Sequence, residues 1–248
     1  MSNKANEHKS IEERKKILTD KAIRFFDMYG EELDLIRQLL DTKLNQIALA
    51  YAQKNNIPKE SIKITTRVKS LKSFLKKLEK SNWQNFNYLT EIAGDLIGAR
   101  IVCWFLNDCY GVYDYINSSK QFKVHKETVK DYIKHPKESG YRSIHLLTDI
   151  SYDRLNSGKS NALLSSIDII CEIQIRTKIQ DVFGDVTHEF HYKEGQEFSK
   201  SFKKIEEILA NQANRLALED NAFMILRDIF MEANQKNNSI KEGITDTK

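Results

Sequence analysis

Disulfides, membrane spans, repeats and a one-sided charge are all missing from this 248-residue chain, and each absence excludes something. Its three cysteines, Cys103, Cys109 and Cys171, are odd in number and show no CxxC spacing, so no disulfide framework is expected. Cys103 and Cys171 sit in apolar, β-branched runs, where a free thiol behaves as a small core residue, and a reduced cytoplasm is the expected compartment. The most apolar stretch, Ile97–Leu106, contains Arg100 and is far too short to cross a bilayer. Met1–Lys16 is polar and charged without an apolar segment, so no signal peptide is expected. No internal repeat or low-complexity tract occurs. Lys+Arg 39 against Asp+Glu 35 leaves +4, an excess too small to argue by itself for a nucleic-acid partner.

What is present is the composition of a globular domain, 40% hydrophobic and 30% charged, in a chain long enough to bury a core. Beyond a polar, frayed terminus at 1–10, apolar residues recur at helical spacing over 11–29 and 31–54, with Gly30 separating two helices. Leu33, Ile36, Leu40, Leu44, Ile47 and Tyr51 form the clearest series, and Pro58 punctuates its end. Residues 62–68 alternate and are β-branched, as in a strand, and 70–80 return to a helical pattern. Residues 82–94 read as a mobile loop. Further strands are expected at 97–106, 122–129, 141–150 and 167–177, helices at 108–118, 178–192 and 198–234, and a hairpin or flap at 152–165. Five strands interleaved with helices make an α+β or α/β sheet flanked by helices at both ends. The chain divides into an N-terminal helical segment (1–60), a core (61–195) and a C-terminal helix with a polar tail (196–248). Ile205, Leu209, Leu216, Phe223, Leu226 and Phe230 stripe that last helix, either for packing on its own sheet or for a subunit interface.

The chemistry concentrates in residues 169–177, IICEIQIRT. Alternate side chains of a strand share a face, so Glu172, Gln174 and Arg176 point one way and Cys171, Ile173 and Ile175 point into the core. The plain reading is an exposed polar face with an incidental ion pair; matching residues elsewhere weigh against it. Asp95 lies just before the strand that carries Arg100, and Gly98 between them leaves room for a close backbone approach. Asp95 and Glu172 on neighbouring strands could hold a hard cation through oxygen, as Mg²⁺ on a nucleotide requires, with arginines neutralising phosphate charge. The plain alternative for Asp95 is a turn residue. Arg67 and Lys69 share a face if their strand continues to them. With the lysines at 72, 76, 77 and 80 they make a triphosphate cradle or a solvated cationic helix face, the latter preferred for Lys72 and Lys80. Pro136 and Gly140 bracket a tight loop ahead of Tyr141. At the mouth of a strand the Tyr141 ring can stack on a base, with Lys137, Arg142 and His145 nearby as donors; a core aromatic is the alternative. Asp181, Asp185, His188 and Tyr192 form one stripe of the next helix. His188 and His191 find no further zinc ligand at matching spacing.

The motifs Arg67-Val-Lys69-Ser70, Asp95-x-x-Gly98-x-Arg100, Lys130-Asp131-Tyr132-Ile133-x-x-Pro136-Lys137, Gly140-Tyr141-Arg142-Ser143-x-His145, Glu172-x-Gln174-x-Arg176-Thr177 and His188-x-x-x-Tyr192-Lys193 come in the order of the RelA/SpoT synthetase domain. The chain resembles that family from about Ile64 to Lys193. The resemblance implies a nucleotidyltransferase-like α+β fold with a mixed five-stranded sheet. It implies a small, single-domain alarmone synthetase, a transferase that moves the β,γ-diphosphate of ATP to the 3′-hydroxyl of GDP or GTP and releases AMP. By the same resemblance Arg67, Lys69, Lys77 and Arg100 would bind ATP, and Asp95 and Glu172 would hold Mg²⁺. Glu172 would also help deprotonate the acceptor hydroxyl. Tyr141 would stack on guanine, and Lys137, His145, Gln174, Arg176 and His188 would complete the acceptor pocket. The chain has no His-Asp dipeptide of the hydrolase domain found in large relatives and no long regulatory region, so alarmone degradation is expected to fall to another protein.

Phe183, Gly184 and Thr187 depart from the Trp-Ala and Glu that many such synthetases carry. Two other readings therefore stay open. One is a toxic branch of the family that pyrophosphorylates the 3′ end of tRNA and has an antitoxin partner. It would need a basic surface, to which Lys200, Lys203, Lys204 and the 72–80 lysines would contribute. The other is a catalytically idle nucleotide sensor. A cytoplasmic homo-oligomer joined through the terminal helices is expected.

Overall fold

An apolar residue every three or four positions produces a helix with one sticky face, and that pattern runs through Gly30 without changing phase. The computed structural model accordingly shows a single helix, α1 (Ser2–Lys54), in place of the two expected and of the frayed terminus at 1–10. The glycine costs the helix roughly 1 kcal/mol. Burial on both sides of it outweighs that, with Leu18 and Ala22 before it and Leu33, Ile36, Leu40, Leu44, Ile47 and Tyr51 after it all buried. The structure describes residues 2–84, 96–155, 164–191 and 200–245, with side chains over 11–84, 96–153, 166–187 and 204–233. The expected loop at 82–94 and the tip of the expected hairpin at 152–165 fall mostly outside the described residues.

The chain forms two compact units, each assembled from separate stretches. Met1–Ile101, Asp114–Lys130 and His145–Gln174 make the first; Val102–Tyr113, Asp131–Ile144 and Ile175–Lys248 make the second. The strands are β1 (Ile62–Val68), β2 (Ile97–Cys103), β3 (Lys123–Val124), β4 (Lys130–Asp131), β5 (Ile144–Leu155) and β6 (Leu164–Thr177). Their order is β1-β2-β6-β5-β3, with β4 pairing β5. All five expected strands are present, although the one expected at 122–129 shrinks to two residues, and β4 is additional. β6 occupies the middle, which explains its mixed character. Cys171, Ile173 and Ile175 are fully buried on one face, while Glu172 and Gln174 are half-buried on the other.

In the first unit α1 packs along β1. Arg37 of α1 pairs with Asp34 at 2.6 Å and donates to Thr66 Oγ1 at 3.1 Å. Thr66 donates in turn to Asp41 at 3.0 Å. These bonds hold the register of helix against strand. Helix α2 (Leu71–Lys80) starts at Ser70, whose hydroxyl accepts from the Ser73 N–H at 3.2 Å. Phe74 and Leu78 on its inner face join Leu18, Ala22, Trp83 and Leu96 in one apolar cluster. At the far edge β3 runs antiparallel to β5, and His125 Nε2 lies 2.8 Å from Asp149.

Helix α3 (Leu106–Ser118) carries Asp108, fully buried, into the second unit, where Arg227 meets it at 2.6 Å. Helices α4 (Lys178–His191) and α5 (Lys200–Thr245) pack on each other. The inward face of α5 is set by Ala213 and Asp220, both 3% exposed. Most of the expected apolar stripe lies elsewhere on the cylinder: Ile205, Phe223, Leu226 and Phe230 are exposed by 37%, 50%, 60% and 63%. Packing on its own sheet is thus not what those residues do within this chain. All three cysteines are free and buried, and burial pushes the Cys171 thiol up to about 12. Among the described residues no helix is long and apolar enough to cross a membrane.

Candidate functional site

Because β1, β2 and β6 are neighbours, polar residues far apart in sequence converge in the first unit. Thr65, Thr66 and Arg67 of β1, Gly98, Ala99 and Arg100 of β2, and Glu172 and Gln174 of β6 line a cleft of about 250 Å³. Sites that take a whole small-molecule ligand run roughly 300–1,000 Å³. The described residues therefore enclose room for part of a nucleotide, such as its phosphate chain. Two guanidinium groups stand against one carboxylate there, the balance a polyphosphate needs. Glu172 is held from both sides. Its Oε2 accepts from Gln174 Nε2 at 3.1 Å, and its Oε1 lies 3.3 Å from His145 Nδ1. The two neighbours fix the orientation of the carboxylate.

Glu172 presents two oxygens, the donor type a hard cation takes, and Mg²⁺ on a nucleotide needs only one or two protein carboxylates beside the phosphates. The cleft therefore fits a nucleotide-borne cation. Asp95, the expected second ligand, lies outside the described residues. Among the described residues no group of three or more His, Cys, Asp or Glu is placed to hold a metal. Gly98 is less constrained than expected, since a Cβ there would sit 3.8 Å from the Glu172 carbonyl, an ordinary contact. Its absence widens the cleft instead.

The second unit holds the other half of the candidate residues. Gly140, at φ 79, closes a tight loop in which the Gly140 N–H donates to the Lys137 carbonyl at 2.8 Å and the Lys137 N–H donates to that of Tyr141 at 3.2 Å. Asp131 anchors the loop entry by accepting from the Ile133 and Lys134 N–H groups at 3.1 and 3.0 Å. Tyr141 precedes β5 by three residues and is half-buried. Lys137 Nζ lies 5.1 Å from its ring centre, and the Arg176 guanidinium 5.9 Å. Tyr132 meets it edge-on at 6.2 Å. An aromatic face flanked by cations is a platform for an electron-rich base carrying phosphates.

Arg176 departs from the expected polar row. It is 2% exposed, with Nε 3.0 Å from Asp181, because α4 begins directly after Thr177 and covers the strand end. Gly184 makes that possible, since a Cβ there would stand 2.5 Å from Arg176 Nη1. Thr187 donates to the Phe183 carbonyl at 2.9 Å, so its hydroxyl is engaged within its own helix.

Of the expected site residues, Arg67, Arg100, Glu172, Gln174 and His145 are thus assembled in the first unit, and Tyr141, Lys137 and Arg176 in the second. Lys69 stands just beyond the end of β1, so the shared strand face with Arg67 stops short of it; its N–H donates to the Leu96 carbonyl at 2.7 Å. Lys77 is half-buried on α2, whereas Lys72, Lys76 and Lys80 are exposed. His188 lies on α4 with its side chain outside the described residues, as do Tyr192 and the side chains of Lys200 and Lys203. Sequence reasoning passed over Thr65 and Thr66 in the cleft, and Gln180 and Asp220, which with the motif residue Thr177 form a buried trio. A Thr-x-x-Gln pattern at a helix start was the available signal for two of the three.

The chain is similar in sequence and fold to known proteins. GTP pyrophosphokinase YwaC of Bacillus subtilis is 33% identical over 156 residues, 62% of this chain and 69% of its own. A GTP pyrophosphokinase family protein from Streptococcus pneumoniae superposes with a TM-score of 0.65 at 28% identity, covering 85% of this chain and 94% of the other. The small alarmone synthetase 1 of Bacillus subtilis, solved bound to its product pppGpp, superposes with a TM-score of 0.63 at 26% identity over 83% of this chain and 95% of its own. Residues 66–197, more than half of the 248, match the family described as a region found in RelA / SpoT proteins, and the chain belongs to that family.

Proposed function

We propose that this chain is a GTP/GDP pyrophosphokinase, transferring the β,γ-diphosphate of ATP to the ribose 3′-hydroxyl of GDP or GTP to make the alarmone (p)ppGpp. The observation that carries the reading is Glu172, a carboxylate fixed by Gln174 and His145 in a cleft it shares with Arg67 and Arg100. Arg67 and Arg100 bind the phosphate chain of ATP, with Lys69 and Lys77 beside them, and set its β-phosphorus for attack. Glu172 takes the proton of the 3′-hydroxyl as its oxygen bonds to that phosphorus. The bond from the β-phosphorus to the oxygen it shares with the α-phosphate breaks, and AMP leaves with the electron pair. Glu172 and Asp95 would hold Mg²⁺, which would neutralise the phosphate charge that builds during transfer. Tyr141 stacks on guanine, with Lys137 and His188 on the acceptor's polar groups, while buried Arg176 holds the ring from behind. The enzyme works in the cytoplasm, where its three free cysteines stay reduced, and self-associates through the exposed apolar residues of α5.

Incubation with Mg²⁺ and γ-labelled ATP, offering GDP, GTP and deacylated tRNA separately, tests the reading. Label is expected on the guanine nucleotide. Glu172→Gln keeps the shape and loses the charge; it is expected to bind ATP normally and slow transfer by at least about a hundredfold. Full activity in that variant sinks the proposed site. Label on tRNA alone, or on nothing, replaces the reading with a tRNA-modifying enzyme or an idle sensor.

A further inference from the structure

We infer that Asp220, on the C-terminal helix, is a positioning residue for the guanine-nucleotide acceptor, tying the start of α4 and the loop that carries Tyr141 to one point on α5. The inference rests on the reading above that Tyr141 receives the acceptor base.

Asp220 is 3% exposed, and its Oδ2 accepts from the Thr177 hydroxyl at 2.7 Å. Thr177 follows Arg176 directly and begins α4 through a reciprocal pair: its Oγ1 accepts from the Gln180 N–H, and Gln180 Oε1 accepts from the Thr177 N–H, both at 3.1 Å. That helix start is therefore tied to Asp220 through the Thr177 hydroxyl. Arg142, the residue next to Tyr141, lines the same small cavity as Asp220, and its charge pulls the carboxyl down. Arg142 donates from Nη1 to the Ile133 carbonyl at 2.8 Å, and its buried Nε has no hydrogen-bond partner among the described residues. The Asp220 carboxylate is opposite in charge to this guanidinium and acts on it through space. Two turns earlier on the same face of α5, Ala213 lies where a Cβ at Gly140 would collide with its own Cβ. Hence α5 touches the Tyr141 loop at Gly140 and the Arg176 segment at Thr177, and shares a small cavity with Arg142.

Stability alone gives no reason for a carboxylate here, because apolar replacements of buried ionic groups are often neutral or better. Burial raises the Asp220 carboxyl to about 6 although Thr177, Gln180 and Arg142 all pull it down. The charged and titratable groups that face it are Arg142 and the Cys109 thiol. Orientation of the two segments is what the carboxylate adds, since it accepts from Thr177 and opposes the charge of Arg142 across the cavity they line.

The test is steady-state transfer, varying the guanine nucleotide at saturating ATP and ATP at saturating acceptor, for wild type, Asp220→Asn, Thr177→Val and Thr177→Ser. Asp220→Asn and Thr177→Val are expected to raise the acceptor KM about tenfold while the ATP KM stays put, and Thr177→Ser, which keeps the hydroxyl, to behave as wild type. The Asp220→Asn to wild-type ratio of acceptor KM is expected to shrink towards unity below about pH 6, as the wild-type carboxyl protonates. Equal changes in both KM values, no change in either, or a Thr177→Ser variant as poor as Thr177→Val overturns the inference. If Asp220→Asn does not fold by circular dichroism, the Thr177 pair decides. Absence of any transfer to guanine nucleotide by wild type defeats the parent reading instead, and the inference falls with it.

Discussion

Replacing Gly184 by alanine adds a single methyl group to α4, with two opposed consequences. In a helix interior alanine is favoured over glycine by roughly 1 kcal/mol, so propensity alone predicts stabilisation. The new Cβ, however, would lie 2.5 Å from Arg176 Nη1 and 3.6 Å from its Cζ. That guanidinium is 2% exposed and has its Nε 3.0 Å from Asp181, so it has no solvent to retreat into. Breaking a buried ion pair outright costs about 3–5 kcal/mol, and a forced shift recovers only part of the pairing. The net expectation is a loss of about 2–3 kcal/mol, which in a protein of this size is a fall in Tm of roughly 5–10 °C. The displaced cation also leaves its place 5.9 Å from the Tyr141 ring, so the acceptor KM is expected to rise while the ATP KM holds. Calorimetry and transfer kinetics on the purified variant read both. A Tm that rises by a few degrees with the acceptor KM unchanged refutes the reasoning, for it would show that Arg176 moves freely and that the glycine is not there to seat it.

Tyr141→Ala is expected to weaken the acceptor by tenfold or more, the value of about 1–3 kcal/mol for base stacking, with ATP affinity unchanged in titration calorimetry; weakening of ATP alone would remove the stacking assignment. The double variant Leu226→Glu, Phe230→Glu places two charges on residues exposed by 60% and 63%, which is harmless to a monomer and disruptive to an interface. Sedimentation velocity is expected to show wild type as an oligomer and the variant as a smaller species; identical profiles would end the proposed role of α5 in self-association.

Local periodicity determined most of the elements, independently of tertiary contacts. Leu33, Ile36, Leu40, Leu44, Ile47 and Tyr51 are all buried as their helical spacing required, and Cys171, Ile173 and Ile175 as strand alternation required. The motif residues of β6 and of the Tyr141 loop were also legible, because chemistry of that kind needs particular side chains at short, fixed spacings. What the sequence leaves undetermined is long-range. Whether Gly30 ends a helix depends on what its flanking apolar residues are packed against, and here Leu18, Ala22, Leu33 and Ile36 are all buried. Whether Arg176 stays in the polar row with Glu172 depends on the helix that follows, and α4 covers it. The stripe on α5 showed which residues are apolar, but the inward face belongs to Ala213 and Asp220, chosen by the small Gly140 and by the Thr177 hydroxyl. A buried carboxylate has no period and no flanking pattern; only the tertiary structure reveals it, because its partner Thr177 sits 43 residues away along the chain and 2.7 Å away in space.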